Sequence, residues 1–278
     1  MKHLSKSLFL WVLLTLGPIQ ANAALMHFVA DASQSQFTGN LSLDGHLSVS
    51  SVFGSDTKSV SSAGVFAGPA AGTIDADVDT SGGTFGFQVI ALSSPISGSL
   101  STNKTVLKVP VAIDVAVTKA TVDLASPTPS SALTYTGSGG VYSWGPTAMT
   151  LNISVDYTAT LSVSGDSQSI SKTASFSVPL ADATGTVTLD GVGNPIAYAL
   201  DIPGDLVIQL PLSTTSGLFT VDFTGTLTLN NLSLNLQGTS TVVPPPAPPP
   251  TPVPVPAALY LFGSGLLVLF GLARRKSA

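Results

Sequence analysis

The stretch that decides the fold is "FTVDFTGTLTL", residues 219–229. Its apolar residues alternate with threonine and aspartate and would share one face: Phe219, Val221, Phe223, Leu227 and Leu229. Because successive side chains of a strand point to opposite faces, this alternation predicts a β-strand with one buried face. The phase slips at Asn230-Asn231 and resumes at Leu232, which predicts a turn or a bulge there.

The same period of two recurs through residues 24–243, and no segment there has the period and caps of a helix. Alternating runs flank three residue pairs that favour tight turns: Asp44-Gly45, Gly165-Asp166 and Asp190-Gly191. We therefore expect an all-β body, an antiparallel sandwich or barrel.

The charge inventory excludes several kinds of partner and chemistry. All fifteen acidic residues are aspartate, and residues 24–243 contain only five lysines and no arginine. So acidic a surface repels phosphate backbones, and we expect no nucleic-acid partner. The chain has no cysteine, which excludes a thiol nucleophile, a cysteine-ligated zinc and an iron–sulfur cluster. We expect no cofactor.

The N-terminus has the pattern of a secretory signal peptide. A basic start is followed by the apolar run Leu8–Leu16, and Gly17-Pro18 then breaks that run. Ala21-Asn22-Ala23 fits a small-residue cleavage site, with Ala21 and Ala23 at the two small positions. The pattern predicts a signal peptide over residues 1–23 and an exported body that begins at Ala24.

The body is expected to span residues 24–243. A Pro/Ser-rich gap at residues 126–131 is either a loop within one domain or the division between two halves. Residues 244–252 read "PPPAPPPTP". Such a segment adopts polyproline II and spans roughly 28 Å, which predicts a stiff spacer.

Residues that suit catalysis are few. His27 and His46 are the only histidines of the predicted mature chain, and both are expected at the surface. No G-x-S-x-G motif identifies a nucleophile. We predict that the protein is not an enzyme. The numerous aspartates keep one alternative open, a carbohydrate-active enzyme that uses a pair of carboxylates.

Two small groups of residues are candidate binding sites. Asp75, Asp77 and Asp79 would share one face of a strand, where three like charges favour either a weak calcium site or a solvated surface. Their spacing does not fit an EF-hand loop. Trp144 and Tyr142 lie in a Gly-rich stretch and suit either contact with a glycan ring or an anchor in the core. We predict no metal centre beyond the candidate calcium site.

The C-terminus predicts a membrane helix. Residues 257–273 are uncharged and mostly apolar, and they would span roughly 25 Å as a helix. Arg274, Arg275 and Lys276 follow and form a basic stop that would remain cytoplasmic, leaving the body outside.

The last 26 residues, 253–278, resemble a PEP-CTERM sorting signal. The resemblance is carried by Val253-Pro254-Val255-Pro256-Ala257-Ala258, by the apolar segment with Gly263-Ser264-Gly265, and by the basic stop. It implies recognition by a membrane-embedded exosortase, a cysteine-type transpeptidase or protease of Gram-negative exopolysaccharide producers. The sorting motif would be Val253, Pro254, Val255 and Pro256. Val255 replaces the family's usual glutamate, so the tail is closest to the Val-Pro-Leu-Pro-Ala variant.

Together these features predict an exported, non-enzymatic protein that is tethered to the membrane and sorted to the cell surface or exopolysaccharide matrix of a Gram-negative bacterium. Its expected partners are the membrane, an exosortase-like enzyme and extracellular polysaccharide. A carbohydrate-binding or adhesion module is a further alternative. Whether the tail is cut or retained as an anchor stays open at Val255.

Overall fold

A computed structural model of the protein describes residues 24–79, 83–124, 133–144, 149–179 and 184–244. The described residues form fifteen strands, and every pairing between them is antiparallel. The strands belong to one compact unit that ends at Val243. The predicted all-β, antiparallel body is confirmed. Residues 126–131 all lie outside the described residues, so a division of the body there stays a prediction.

The strands, in chain order, are β1 (Ala24–Ala30), β2 (Gln36–Ser51), β3 (Gly54–Pro69), β4 (Ala71–Asp79), β5 (Thr84–Ser94), β6 (Gly98–Val106), β7 (Val109–Leu124), β8 (Leu133–Ser138), β9 (Val141–Trp144), β10 (Thr150–Val163), β11 (Asp166–Pro179), β12 (Thr184–Leu189), β13 (Pro195–Ile202), β14 (Leu206–Ser216) and β15 (Phe219–Val242).

One part of the body has the arrangement of a sandwich. Strands β3, β2, β15 and β14 pair in that order, and so do β6, β7, β10 and β11. Along β10, every second residue from Leu151 to Val163 is buried. At one side the two groups of strands meet through a bridge between Ala67 and Ser97. At the other side, the Ser213 backbone N–H donates to Gln168 Oε1 at 3.1 Å.

The other part of the body is a closed ring of strands. From β5 the pairing runs through β4, β1, the second half of β15, β13, β12, β9 and β8, and β8 pairs back to β5. Five aromatic residues of these strands are buried and contact one another: Phe28, Phe85, Phe87, Trp144 and Tyr198. The core of the sandwich and that of the ring are continuous.

β15 takes part in both regions because it is 24 residues long. Its first half lies between β2 and β14. In its second half, β13 pairs with residues 232–237, β2 continues along the other edge to Asn235, and β1 pairs with residues 238–242. The register with β2 shifts between Asn230 and Ser233, and Asn231 adopts φ +49°. The irregularity predicted at Asn230-Asn231 is confirmed, and it is a bulge. A bulge bends a strand and increases its twist, which redirects the second half of β15.

The turn predicted at Asp44-Gly45 is wrong, because β2 continues without interruption through both residues. Gly45 lies opposite Gly225, and a Cβ added at Gly45 would be 2.6 Å from Gly225 Cα. The ring of Phe223 lies over both glycines. Gly45 therefore allows a close approach of backbone and aromatic ring rather than a turn. The other two predicted turns are confirmed, between β10 and β11 and between β12 and β13.

Hydroxyl and amide side chains cover the outer face of β10 and β11. They form cross-strand hydrogen bonds of 2.6–2.9 Å between Ser154 and Ser175, Thr158 and Ser171, Thr160 and Ser169, Thr173 and Asp156, and Ser177 and Asn152. Such pairs stabilise a sheet on its solvated side. The abundance of serine and threonine thus has a structural role.

The crowding at Gly45 predicts a large cost for adding a single methyl group. We expect Gly45→Ala to lower the free energy of unfolding by about 1–3 kcal/mol, because backbone atoms of Thr224 and Gly225 must move. Gly191→Ala is the matched control, since a Cβ there meets nothing within 4 Å. Urea denaturation of both variants checks this, and equal stability of the two would contradict it.

Asp190 holds the turn between β12 and β13. Its carboxylate accepts hydrogen bonds from the backbone N–H groups of Asn194 (2.8 Å) and Val192 (2.9 Å), and from Asn194 Nδ2. The Asn194 backbone hydrogen bond, followed by the other two donors, holds the pKa of Asp190 below its ordinary value of 3.8. A carboxyl whose pKa falls on folding stabilises the folded state above its unfolded pKa and loses that contribution as the pH falls through the folded pKa.

We therefore expect Asp190→Ala to lower the melting temperature at pH 7 and to lose this effect in strong acid, below the lowered pKa. Asp166→Ala, in the turn between β10 and β11, should leave the melting temperature unchanged at both pH values. Thermal unfolding followed by circular dichroism measures both. A penalty for Asp190→Ala that is the same at every pH would rule out the carboxylate as its cause.

Candidate functional site at the terminal end of the body

The first and last strands of the body lie side by side. Met26 of β1 lies opposite Val242 of β15, and the Val243 backbone N–H donates to the Leu25 carbonyl oxygen at 2.8 Å. The residues before Ala24 and those after Val243 therefore join the body at one end, which we call the terminal end. The two segments that join the body here contain the predicted signal peptide, residues 1–23, and the predicted membrane helix, residues 257–273.

A polar cluster lies on the outer face near this end. His27 Nδ1 is 2.5 Å from Asp75 Oδ1, and both side chains are partly exposed. Gln88 Nε2 donates to Asp77 Oδ2 at 2.5 Å. The register of β4 with β5 shifts between Asp75 and Ala76, which leaves Gln88 as the additional residue of the bulge. Bulges redirect side chains in this way.

The sequence analysis did not predict the pairing of His27 with Asp75. His27 lies within β1 directly opposite Asp75 of β4, about fifty residues further along the chain. Only the register of the two strands brings these residues together, and alternation by itself does not determine which strands pair. The sequence offered one signal for this pairing: a histidine in one predicted strand, and three alternating aspartates in another strand that could pair with it. His46 lies on the exposed side of β2, as expected.

The candidate calcium site at Asp75, Asp77 and Asp79 receives no support from the geometry. Asp75 and Asp77 are engaged by His27 and Gln88, and Asp79 is the last residue of β4. Within the described residues, no group of three His, Cys, Asp or Glu side chains is arranged to hold a metal ion. This part of β4 is a polar outer face, the alternative that the sequence left open.

Of the two roles that the sequence left open for Trp144, contact with a glycan or an anchor in the core, its burial favours the anchor. The side chain is 4% exposed, and its ring stacks on Phe85 with an interplanar angle of 4°. The indole also covers Gly185, where an added Cβ would lie 2.1 Å from Trp144 Cζ2. Tyr142 is partly buried and packs against the same core. Trp144 is thus the core anchor, and its ring is not available to a sugar.

The ring encloses a small apolar cavity of about 20 Å³, lined in part by Trp144, Tyr198 and Phe87. Trp144 Nε1 and the Tyr198 hydroxyl are buried and have no hydrogen-bond partner among the described residues. Burial raises the pKa of Tyr198 well above its ordinary value, so this phenol stays neutral. A cavity of this size holds about one water molecule, which is too little for a cofactor.

The remaining predicted site residues lie outside the described residues: Ala21 and Ala23 of the cleavage site, Val253, Pro254, Val255 and Pro256 of the sorting motif, and Arg274, Arg275 and Lys276 of the basic stop. The predicted signal peptide, most of the spacer and the predicted helix over residues 257–273 also lie there. Among the residues that the structure describes, no helix is long and apolar enough to cross a membrane.

No protein-family model matches this chain, and no curated protein matches it. Among solved structures, it is similar to InvG, the secretin of the Salmonella SPI-1 type III secretion injectisome, seen in the open gate state. The identity is 9%, the match covers 94% of this chain and 71% of that chain, and the TM-score is 0.15. A similarity this low defines neither family nor fold, so the function must be argued from the chain's own residues.

The buried position of Trp144 predicts its fluorescence. Trp144 is the only tryptophan after residue 23, so a chain processed there should emit at short wavelength when folded and at longer wavelength in denaturant. Trp144→Ala should lower the free energy of unfolding by about 3–5 kcal/mol. Oligosaccharides should leave the emission of the folded protein unchanged. A long-wavelength maximum, or a shift on addition of a glycan, would show that the indole is exposed.

Proposed function

We propose that this chain is an exported, non-enzymatic surface protein that its C-terminal tail tethers to the membrane and presents for exosortase-type sorting to the cell surface or exopolysaccharide matrix. The observation that carries the proposal is the meeting of both strand termini at the terminal end, through the hydrogen bond from Val243 to Leu25. The proposal joins this observation to the signal peptide and the tail predicted from the sequence.

The meeting of the termini suits a body that is held from one end. During export, the predicted signal peptide holds the chain at the membrane just before Ala24, where β1 begins. After Val243 the proline-rich spacer leads to the predicted membrane helix over residues 257–273. Because Leu25 and Val243 are hydrogen-bonded neighbours, the points at which the two segments join the body lie at the same end.

The outer surface suits an extracellular, hydrated setting. Residues 24–243 carry fifteen aspartates and five lysines, so the body has a strong net negative charge that keeps it soluble. On β10 and β11 the exposed hydroxyl groups hydrogen-bond to one another across the strands. The body needs no disulfide to achieve this fold, since it is large enough to bury a substantial core. These properties favour a structural or matrix role over catalysis.

The tail supplies the sorting step of the proposal. Val253-Pro254-Val255-Pro256 is the motif that an exosortase-like enzyme would recognise, and Arg274, Arg275 and Lys276 would hold the helix in its orientation. Val255 removes the carboxylate that the usual motif presents. The processing enzyme must therefore accept an apolar residue at that position.

Intact-mass measurement tests this proposal in a Gram-negative host with and without an exosortase. We expect the N-terminus at Ala24 in both strains, and a C-terminus near Pro256 only where the enzyme is present. In the strain that lacks the enzyme, the chain should end at Ala278 and fractionate with membranes. Val255→Glu should increase cleavage by an exosortase of the usual specificity, because it restores the carboxylate.

The matched control is a chain that ends at Val243. It retains the predicted signal peptide and should be released without membrane association in either strain. Recovery of the full-length chain from the cytosol with Met1 still attached would refute export. Release of the full-length chain with Ala278 still present would refute tethering.

A further inference from the structure

Four hairpin turns lie together at the end of the sandwich opposite the terminal end. They connect β2 to β3 at residues 52–53, β6 to β7 at 107–108, β10 to β11 at 164–165, and β14 to β15 at 217–218. Phe219 pairs with both Ser51 and Ser216, so the first and last of these turns are neighbours. We call this group of turns the hairpin end.

The hairpin end exposes large apolar side chains at its tips. Val52 is 78% exposed, Phe53 is 83% exposed and Leu218 is 64% exposed. The Ser51 hydroxyl accepts a hydrogen bond from the Phe53 backbone N–H at 3.1 Å, which fixes the turn that presents Phe53. Neighbouring apolar side chains that are exposed to water often mark a surface that contacts a partner or a membrane.

The turn at Leu107-Lys108 adds a second unusual feature. Both residues adopt positive φ, +49° and +64°, in a connection of two residues between β6 and β7. Hairpins of this kind favour asparagine and glycine, because other residues are strained there. The hairpin end therefore holds an apolar and a cationic side chain at its tip at a local conformational cost, and such strain is common at functional positions.

The charge of the hairpin end differs from that of the rest of the body. Three lysines and three aspartates lie within five residues of its turns: Lys58, Lys104, Lys108, Asp56, Asp166 and Asp222. The rest of residues 24–243 has two lysines and twelve aspartates. This end thus lacks the net negative charge that would repel the anionic lipids of a bacterial membrane.

The exposed apolar tips comprise four side chains, whereas a stable protein interface takes about 20–30 residues from each partner. A large aromatic side chain buries about 150–250 Å², whereas a stable interface buries about 800 Å² on each partner. Of Val52, Phe53, Leu107 and Leu218, only Phe53 is aromatic. A fluid lipid surface has no such requirement, because each apolar tip can enter it individually beside cationic and polar neighbours.

We propose that the hairpin end is a lipid-contact surface, in which Val52, Phe53 and Leu218 enter the interface of a bilayer and Lys58, Lys104 and Lys108 lie at the headgroups. β15 runs from Phe219 at this end to Val242 at the terminal end, at most about 80 Å away for a straight strand. The proposed lipid contact is therefore distinct from the proposed tail tether and concerns the opposite end of the body.

The absence of cysteine allows a direct test on the full chain, since any introduced cysteine is the only labelling site. The full-length Leu218→Cys variant, labelled with a polarity-sensitive fluorophore, is mixed with vesicles of phosphatidylcholine and phosphatidylglycerol. We expect the emission to rise several-fold, and lipids with a nitroxide on the acyl chain to quench it. Adding Phe53→Ser or Val52→Ser to the labelled chain should reduce the rise by at least half.

Val192→Cys is the matched control. Val192 is also 83% exposed, but it lies in the turn after Asp190 and near the terminal end. Its label should not respond to vesicles, and repeating both labels in the chain that ends at Val243 makes the comparison independent of the proposed tether. Equal responses at 192 and 218, or a full response with Phe53→Ser, would overturn the proposal. A response at 218 without lipid that grows with protein concentration would also overturn it, in favour of a second copy of the chain.

Discussion

The continuity of β15 is the constraint on which the rest of the structure depends. A strand of 24 residues presents backbone N–H and C=O groups along both of its edges. Leaving these groups without hydrogen bonds is costly where they are buried. β2 and β14 pair with the two edges of β15 in the sandwich, and in the ring β13 pairs with residues 232–237 and β1 with residues 238–242. The bulge at Asn231 lets one strand serve both arrangements, because it changes the direction of the strand without ending it.

The polarity of the body follows from this one strand. β15 starts at the turn after β14 and ends beside the first residues of β1, so its two ends mark the hairpin end and the terminal end. Every strand that pairs with its first half turns at the hairpin end, whereas the chain enters and leaves at the other. A long antiparallel sheet with both termini at one end is therefore suited to being held there while its opposite end meets a different surface.

The sequence predicts the features that depend on residues close together in the chain better than those that depend on contacts between distant strands. Alternation predicted the buried face of β15, the bulge at Asn231 and two of the turns, because these depend on neighbours along the chain. The prediction failed at Gly45, where glycine is required by the close approach of Gly225 and Phe223 across the sheet and not by a turn. Pairs such as His27 with Asp75 depend on register between distant strands, and a single sequence does not contain that information.

The same distinction explains the different surroundings of two aromatic residues, Trp144 and Phe53. Trp144 is enclosed because β9 pairs with β12 and Gly185 leaves room for the indole. Phe53 lies at the tip of the hairpin between β2 and β3, where its backbone N–H donates to the Ser51 hydroxyl and its side chain is exposed. The sequence left two roles open for the tryptophan, contact with a glycan or an anchor in the core. Packing decides between them in favour of the anchor, because the neighbouring strands enclose the indole.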